Sequence, residues 1–415
     1  MTYRGTTSRA VTATLVTALA GLGLAAPAAN ATDTANATNA TNATNAMNAM
    51  NATDTAGPSA ASRLQQQVDA VHRTGPVGVL ARSTGPRGTQ YATAGVADAE
   101  TGRTARPGDR FRIASATKTY VSTVVLQLVG EGRLSLNDTV EEWLPGVVSG
   151  NGNDGAKITV RQLLNHTSGL FNYTADFPPL TSVAAYQADR YTTWTDSQLV
   201  GIAMRHAPDF EPGAKWSYSN TNYTLAGMII EKVTGHSWQR EVTQRVIRPL
   251  GLRHTVAPTT SPRIPGSHLK GYSAFGESGP AIDVTAFNPS AAGAAGAMIS
   301  TTGDMTRFYQ ALLGGRLLKP AQLAEMKTTV RAAELDPVWP GARYGLGLLE
   351  APLTCGGTYY GHAGDLPGYT TRDGVSADGR RVVVLESTGD GASDLSTEQA
   401  QNALIDGQLC ASGAE

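Results

Sequence analysis

The sequence predicts an α/β fold in which both ends of the chain build a sheet and a mostly helical domain is inserted between them. Two observations carry this. Strand patterns occur soon after the start of the folded region and return near the C-terminus, while the stretch from about 120 to 290 is rich in helix and loop signals. With 415 residues, 41% of them hydrophobic, the chain has the apolar material to fill a sizeable core. A cleft between the two parts is the expected place for a substrate.

The elements follow in order. Residues 1–31 read as a secretory signal peptide: Arg4 and Arg9 form a positive n-region, a Thr-diluted apolar stretch runs from Val11 to Leu24, and Ala-rich cleavage sites follow. That stretch is too short for a membrane span, which needs about 20 apolar residues. Residues 32–61 repeat Asn-Ala-Thr and Asn-Ala-Met units that have almost nothing to bury, so a disordered linker is expected. Asn36, Asn39, Asn42 and Asn51 sit in formal glycosylation sequons there, though a plain spacer explains the repeat as well. Residues 62–415 form the folded domain, with an α/β part at about 62–120 and 290–415 and a helical part at about 120–290.

Within that domain, 62–72 reads as a helix with Leu64, Val68 and Val71 on one face. Segments 77–82 and 89–95 read as two strands joined by a Gly-Pro turn. A long helix is expected from Ala116 to about Glu131, with an apolar stripe of Val121, Val124, Val125, Leu128 and Val129. The clearest late strand is 381–386.

Charge and composition narrow the function. A formal net charge of −1 gives no broad basic surface, so nucleic acid is not an expected partner, and nothing after the leader is long and apolar enough to span a membrane. The histidines lack ligand-like spacing and no dinucleotide motif follows a strand into a helix, so neither metal nor cofactor is expected. The two cysteines, Cys355 and Cys410, are expected to pair in an exported chain.

Three motifs carry chemistry. The first is Ser115-Ala-Thr-Lys118. A serine hydroxyl needs a base to become a nucleophile, and Lys118 is one turn on; burial would lower its pKa enough for that task. Alone, the pattern is equally a serine capping a helix. The second is Tyr218-Ser-Asn220, in a Pro-Gly loop expected to enter a helix near Tyr223. Tyr218 can move a proton to a leaving group, and Asn220 can orient a substrate amide. The third is His362-Ala-Gly-Asp365, read as the start of an edge strand. The backbone N–H of Asp365 can pair with that of Ser115 as an oxyanion hole, and Gly364 permits close approach of a substrate backbone.

In this order the motifs resemble the serine-type D-alanyl-D-alanine carboxypeptidases and class C β-lactamases, the penicillin-recognising serine hydrolases. The stretches 158–170, 223–235, 249–252, 296–300 and 344–348 extend the resemblance, which runs from about residue 63 to 410 and is nearest to the soluble, exported carboxypeptidases. It implies a β-lactamase/DD-peptidase-like fold, with an antiparallel sheet flanked by helices. It implies that Ser115 attacks a D-Ala–D-Ala bond of a peptidoglycan stem peptide, that Lys118 and Tyr218 handle its proton, and that β-lactams acylate Ser115. It also implies a Cys355–Cys410 pair.

Three positions depart from that family. Where the carboxypeptidases carry an arginine for the substrate's terminal carboxylate, this chain has Leu349; where two threonine hydroxyls serve the same carboxylate, it has Ala363 and Asp365. Arg372 can compensate or can point to solvent. Two readings therefore stand: a D-alanyl-D-alanine carboxypeptidase, or a related esterase, D-amino-acid amidase or D-peptidase for substrates without a free terminal carboxylate. A β-lactamase or a non-catalytic sensor is the lesser expectation.

Overall fold

The computed structural model describes residues 59–411. The expected signal peptide, and the linker up to residue 58, lie outside the described residues. The first helix, α1 (Ala60–His72), begins two residues before the apolar pattern does, because Ser59 Oγ accepts the Ser62 N–H at 3.2 Å and caps it.

One antiparallel sheet organises the chain. Its strands are β1 (Gly78–Gly85), β2 (Gly88–Gly95), β3 (Val330–Arg331), β4 (Arg343–Tyr344), β5 (Leu349–Pro352), β6 (Thr358–Gly361), β7 (Gly364–Leu366), β8 (Tyr369–Ser376) and β9 (Val382–Thr388). They lie in the order β2-β1-β9-β8-β6-β5-β4-β3, and β7 pairs with β8 alone. Thus the first and last strands of the chain meet: Gly78 pairs with Thr388 and Thr84 with Val382. Both faces are covered. Val79, Ala81, Val383 and Leu385 pack with Leu64, Val68 and Val71 of α1 and with Leu404, Ile405 and Leu409 of a C-terminal helix (Ser396–Cys410). Leu80, Val382 and Val384 turn the other way into the larger core. This double coverage explains why β9 reads as an unbroken apolar run rather than an alternating one.

The larger core is centred on α2 (Thr117–Gly130), which lies between the sheet and the helical part of the chain. Its expected apolar stripe is only part of the story, for Tyr120, Ser122, Thr123 and Leu126 are also buried. A helix enclosed on nearly all sides is a central one. Against it packs α3 (Asn220–Thr234), ended by Gly235 in the left-handed conformation at φ 73°. Cys355 and Cys410 are disulfide-bonded with Cα atoms 5.8 Å apart and 55 positions between them. The bond ties the end of the C-terminal helix to the β5–β6 turn, a loop closure worth about 4 kcal/mol in the chain-entropy treatment.

Candidate active site

Three pieces of backbone converge: the turn before α2, the N-terminus of α3, and β7. Ser115 sits in a short 3-10 turn, Ala114–Ala116, that runs straight into α2. The helix thus begins at Thr117, one residue later than expected, and Ser115 lies in the turn that leads into it. Ala114 has φ 46°, a left-handed conformation that costs a non-glycine residue about 1 kcal/mol or more. The surroundings impose it and present Ser115 at the partly open end of a buried helix.

Lys118 lies beneath it, fully buried. Its Nζ is 3.0 Å from Ser115 Oγ, 2.8 Å from Asn220 Oδ1 and 2.7 Å from the Ala295 carbonyl oxygen. Burial pushes its pKa well below the usual lysine range, and the Asp365 carboxylate opposes that only in part. In the neutral form two N–H groups satisfy Asn220 and Ala295. The lone pair is then left for the Ser115 hydroxyl, the arrangement a base requires.

Burial raises the Tyr218 pKa above the ordinary tyrosine value, and the neighbouring Ser115 hydroxyl offsets this only in part. Tyr218 stays protonated and so suits proton donation. The Lys118 Nζ lies 4.8 Å from its ring centroid. Asn220 differs from expectation in two ways. It is the first residue of α3, three positions before the expected start, and Ser219 gives no side-chain cap. Asn172 Oδ1 instead accepts the Asn220 backbone N–H at 3.0 Å and its Nδ2 at 3.3 Å. With Oδ1 on Lys118, the amide is committed within the protein and holds the lysine.

In the third motif the edge strand begins at Gly364 and not at His362, so His362 and Ala363 lie between strands; His362 and Gly364 are buried, while Ala363 and Asp365 are half-buried. His362 accepts from Tyr344 Oη at Nε2 (2.6 Å) and donates from Nδ1 to the Ala363 carbonyl (2.5 Å). Burial, aided by the Lys118 charge, lowers its pKa to about 3, so the ring is neutral. Its backbone N–H donates to Asp373 Oδ1 at 2.7 Å, and Tyr309 Oη donates to Asp373 Oδ2 at 3.0 Å. Gly364 is required within the protein itself. A Cβ there would meet the Ile113 carbonyl oxygen at 2.3 Å and the Ser115 nitrogen at 3.1 Å. The close approach is that of the serine's own turn, which sets β7 against it.

The departing positions resolve as well. Arg372 is not turned to solvent: its side chain is 5% exposed and bonds Asp365 Oδ1 at 2.9 Å, while the Asp365 side chain is 38% exposed. Leu349 is buried in β5 with Trp216, Ala332, Ala342 and Tyr344, against which Tyr218 packs. Neither position offers a free cation.

Three neighbours escape the sequence reading. His166, buried and at φ 60°, has its ring centroid 4.3 Å from that of Tyr218. Its Nδ1 accepts from Asn222 Nδ2 at 3.1 Å, and Asn222 is itself fixed by Ser168 Oγ at 2.6 Å. Asn172 and the Ala295 carbonyl are the other two. His166 falls inside the 158–170 signature, but only its position in the fold shows what it touches.

A buried lysine bonded to a serine in a turn, with a tyrosine beside the pair and an edge strand against the turn, defines a serine hydrolase of the penicillin-recognising type. The Beta-lactamase family model matches residues 61–406, and the chain belongs to that family. Among solved structures, a D-stereospecific amidohydrolase from Streptomyces sp. is 44% identical with a TM-score of 0.78, covering 85% of this chain and 99% of its own. A D-amino acid amidase from Ochrobactrum anthropi SV3, complexed with D-phenylalanine, is 30% identical with a TM-score of 0.71, covering 85% of this chain and 99% of its own. A Bacillus subtilis (strain 168) protein named as penicillin-binding protein PbpX is 28% identical over 285 residues, 68% of this chain; the match spans 62% of PbpX.

Proposed function

We propose that this chain is an exported serine amidohydrolase that cleaves amides or esters of D-amino acids or short D-peptides lacking a free terminal carboxylate, through an acyl-enzyme on Ser115. The observation that carries the reading is the Asp365–Arg372 ion pair. Arg372, beside the third motif, is already paired, and the more exposed member of the pair is the carboxylate. A terminal carboxylate would meet repulsion there and would find Leu349 in place of a donor. The carboxypeptidase alternative needs donors at those positions. The similarity to amidohydrolases that act on D-configured substrates points the same way, although fold likeness alone does not fix a substrate. Export rests on the leader-like N-terminus, and the disulfide is compatible with it.

In this mechanism Lys118 takes the Ser115 proton as the Oγ–carbon bond forms. The N–H groups of Ser115 and Asp365 stabilise the oxyanion. Tyr218 gives a proton to the departing nitrogen or oxygen as its bond to carbon breaks, and the proton on Lys118 replaces it. Water, or an amine, then enters by the reverse path and releases the acyl group. A β-lactam would acylate Ser115 by the same first step.

The test is release of p-nitroaniline from D- and L-phenylalanine p-nitroanilide by the wild type and by Ser115→Ala. The D isomer should be turned over, and the variant should lose about a thousandfold or more. Activity kept by Ser115→Ala, or preference for the L isomer, contradicts the proposal.

A further inference from the structure

We infer that Asp365 is a receptor for a substrate ammonium group, so that the enzyme selects amides and esters that carry a positive charge close to the scissile bond. This rests on the serine-amidohydrolase reading above and narrows it to cationic substrates.

Several features place a half-used carboxylate in the cleft. Asp365 is on β7, directly after Gly364, the residue in contact with the backbone of Ser115. Its side chain is half-buried, as is that of Ala363 just before the strand. The strand pairs with β8 on one side only, so its other edge is open to an extended ligand. Arg372 bonds Oδ1, while Oδ2 accepts no hydrogen bond among the described residues. The pair is asymmetric in a telling way. The guanidinium is 5% exposed and lies 5.5 Å above the Trp339 ring, whereas the carboxylate is 38% exposed. The buried member fixes the exposed one, and the pair shows its negative end to whatever enters.

The groups that face Asp365 are Arg372 from β8, Glu386 from β9, Lys118 from α2 and Tyr218 from the loop before α3. Glu386 is fully buried, its Oε2 held by Thr371 Oγ1 at 2.5 Å, and desolvation raises its pKa well above the ordinary value. Lys118 is kept toward its neutral form. The position thus lacks a second cation and has one carboxylate oxygen spare, which suits an alkylammonium.

The ammonium can be carried on the acyl residue or on the leaving group, and matched substrates separate the two. The first arm compares D-phenylalanine p-nitroanilide with its N-acetyl form. The second compares the 2-aminoethyl and 2-hydroxyethyl esters of N-acetyl-D-phenylalanine. In at least one arm the charged member should have a kcat/KM about tenfold or more higher, as expected for a charge-assisted hydrogen bond. In the first arm that advantage should fade as pH rises through the substrate's α-amino pKa, about 7.7–8. The N-acetyl partner shares any Lys118 titration and controls for it. Asp365→Asn keeps an acceptor for Arg372 and should reduce the charged-to-neutral ratio toward one.

Equal rates within both arms of the wild type overturn the inference whatever the variant does, and so does a ratio unchanged in Asp365→Asn. If both neutral substrates are turned over without preference for charge, the amidohydrolase reading stands and this inference alone fails. If peptides with a free carboxylate are preferred to every amide and ester, both fail together.

Discussion

Lys118 and Gly364 bracket Ser115 from opposite sides, and each is constrained by contact rather than by composition. Asn220 and Ala295 each accept from Lys118, and its third tetrahedral position faces the serine. Gly364 leaves no room for a methyl group against the Ile113 carbonyl. Gly364→Ala should therefore displace the serine turn or β7 while sparing the distant sheet. Misplacement of about 1 Å costs reactions of this kind about 100-fold. The acylation rate, read by fluorescent penicillin labelling of folded protein, should fall by about that factor. A rate within a few-fold of wild type would show that the turn does not depend on this contact. Ser115, Lys118 and Tyr218 were legible in the sequence because the chemistry demands those side chains in that order. Asn172 was not, because it acts as a cap on a helix 48 residues away. Ala295 was not, because it acts through a carbonyl that every residue possesses.

At the scale of elements, β8 does most of the positioning. Its alternation sends Arg372 to Asp365 and Asp373 to the His362 backbone, so one strand holds both ends of the third motif. The strand pattern of 381–386 was visible in the sequence; the polar work of 371–373 was not, since buried charged residues look like surface ones until their partners are known. The start of α3 was misplaced for a similar reason: its cap comes from Asn172 and not from a neighbour in sequence. Burial raises Asp373 to about 7. Between about pH 4 and that value the folded protein keeps a proton that the unfolded chain releases, so stability falls as pH rises through this window. Glu386, also raised, adds a slope of the same sign. Asp373→Asn removes one share, and the drop in Tm from about pH 4 to about pH 7 should be smaller in the variant than in wild type. An identical drop would mean that Asp373 is ionised throughout.

For the whole molecule, a sheet built from both ends of the chain was foreseeable because strand signals lie at both ends with helix signals between. The strand order, which places β9 beside β1, follows from packing on both faces and is not written in any local pattern. That arrangement brings Ser115, Lys118 and Tyr218 to one place, with the half-exposed Asp365 at its rim. In the proposed function, the buried Leu349 and the Asp365–Arg372 pair offer a terminal carboxylate no free donor. The central claim is that this rim excludes such substrates. The measurement that tests it most directly is kcat/KM on one D-peptide presented as its C-terminal amide and as its free acid. The amide should be cleaved about tenfold faster or more, in keeping with the loss of a charge-assisted contact. A free acid cleaved as fast as the amide, or faster, would contradict it.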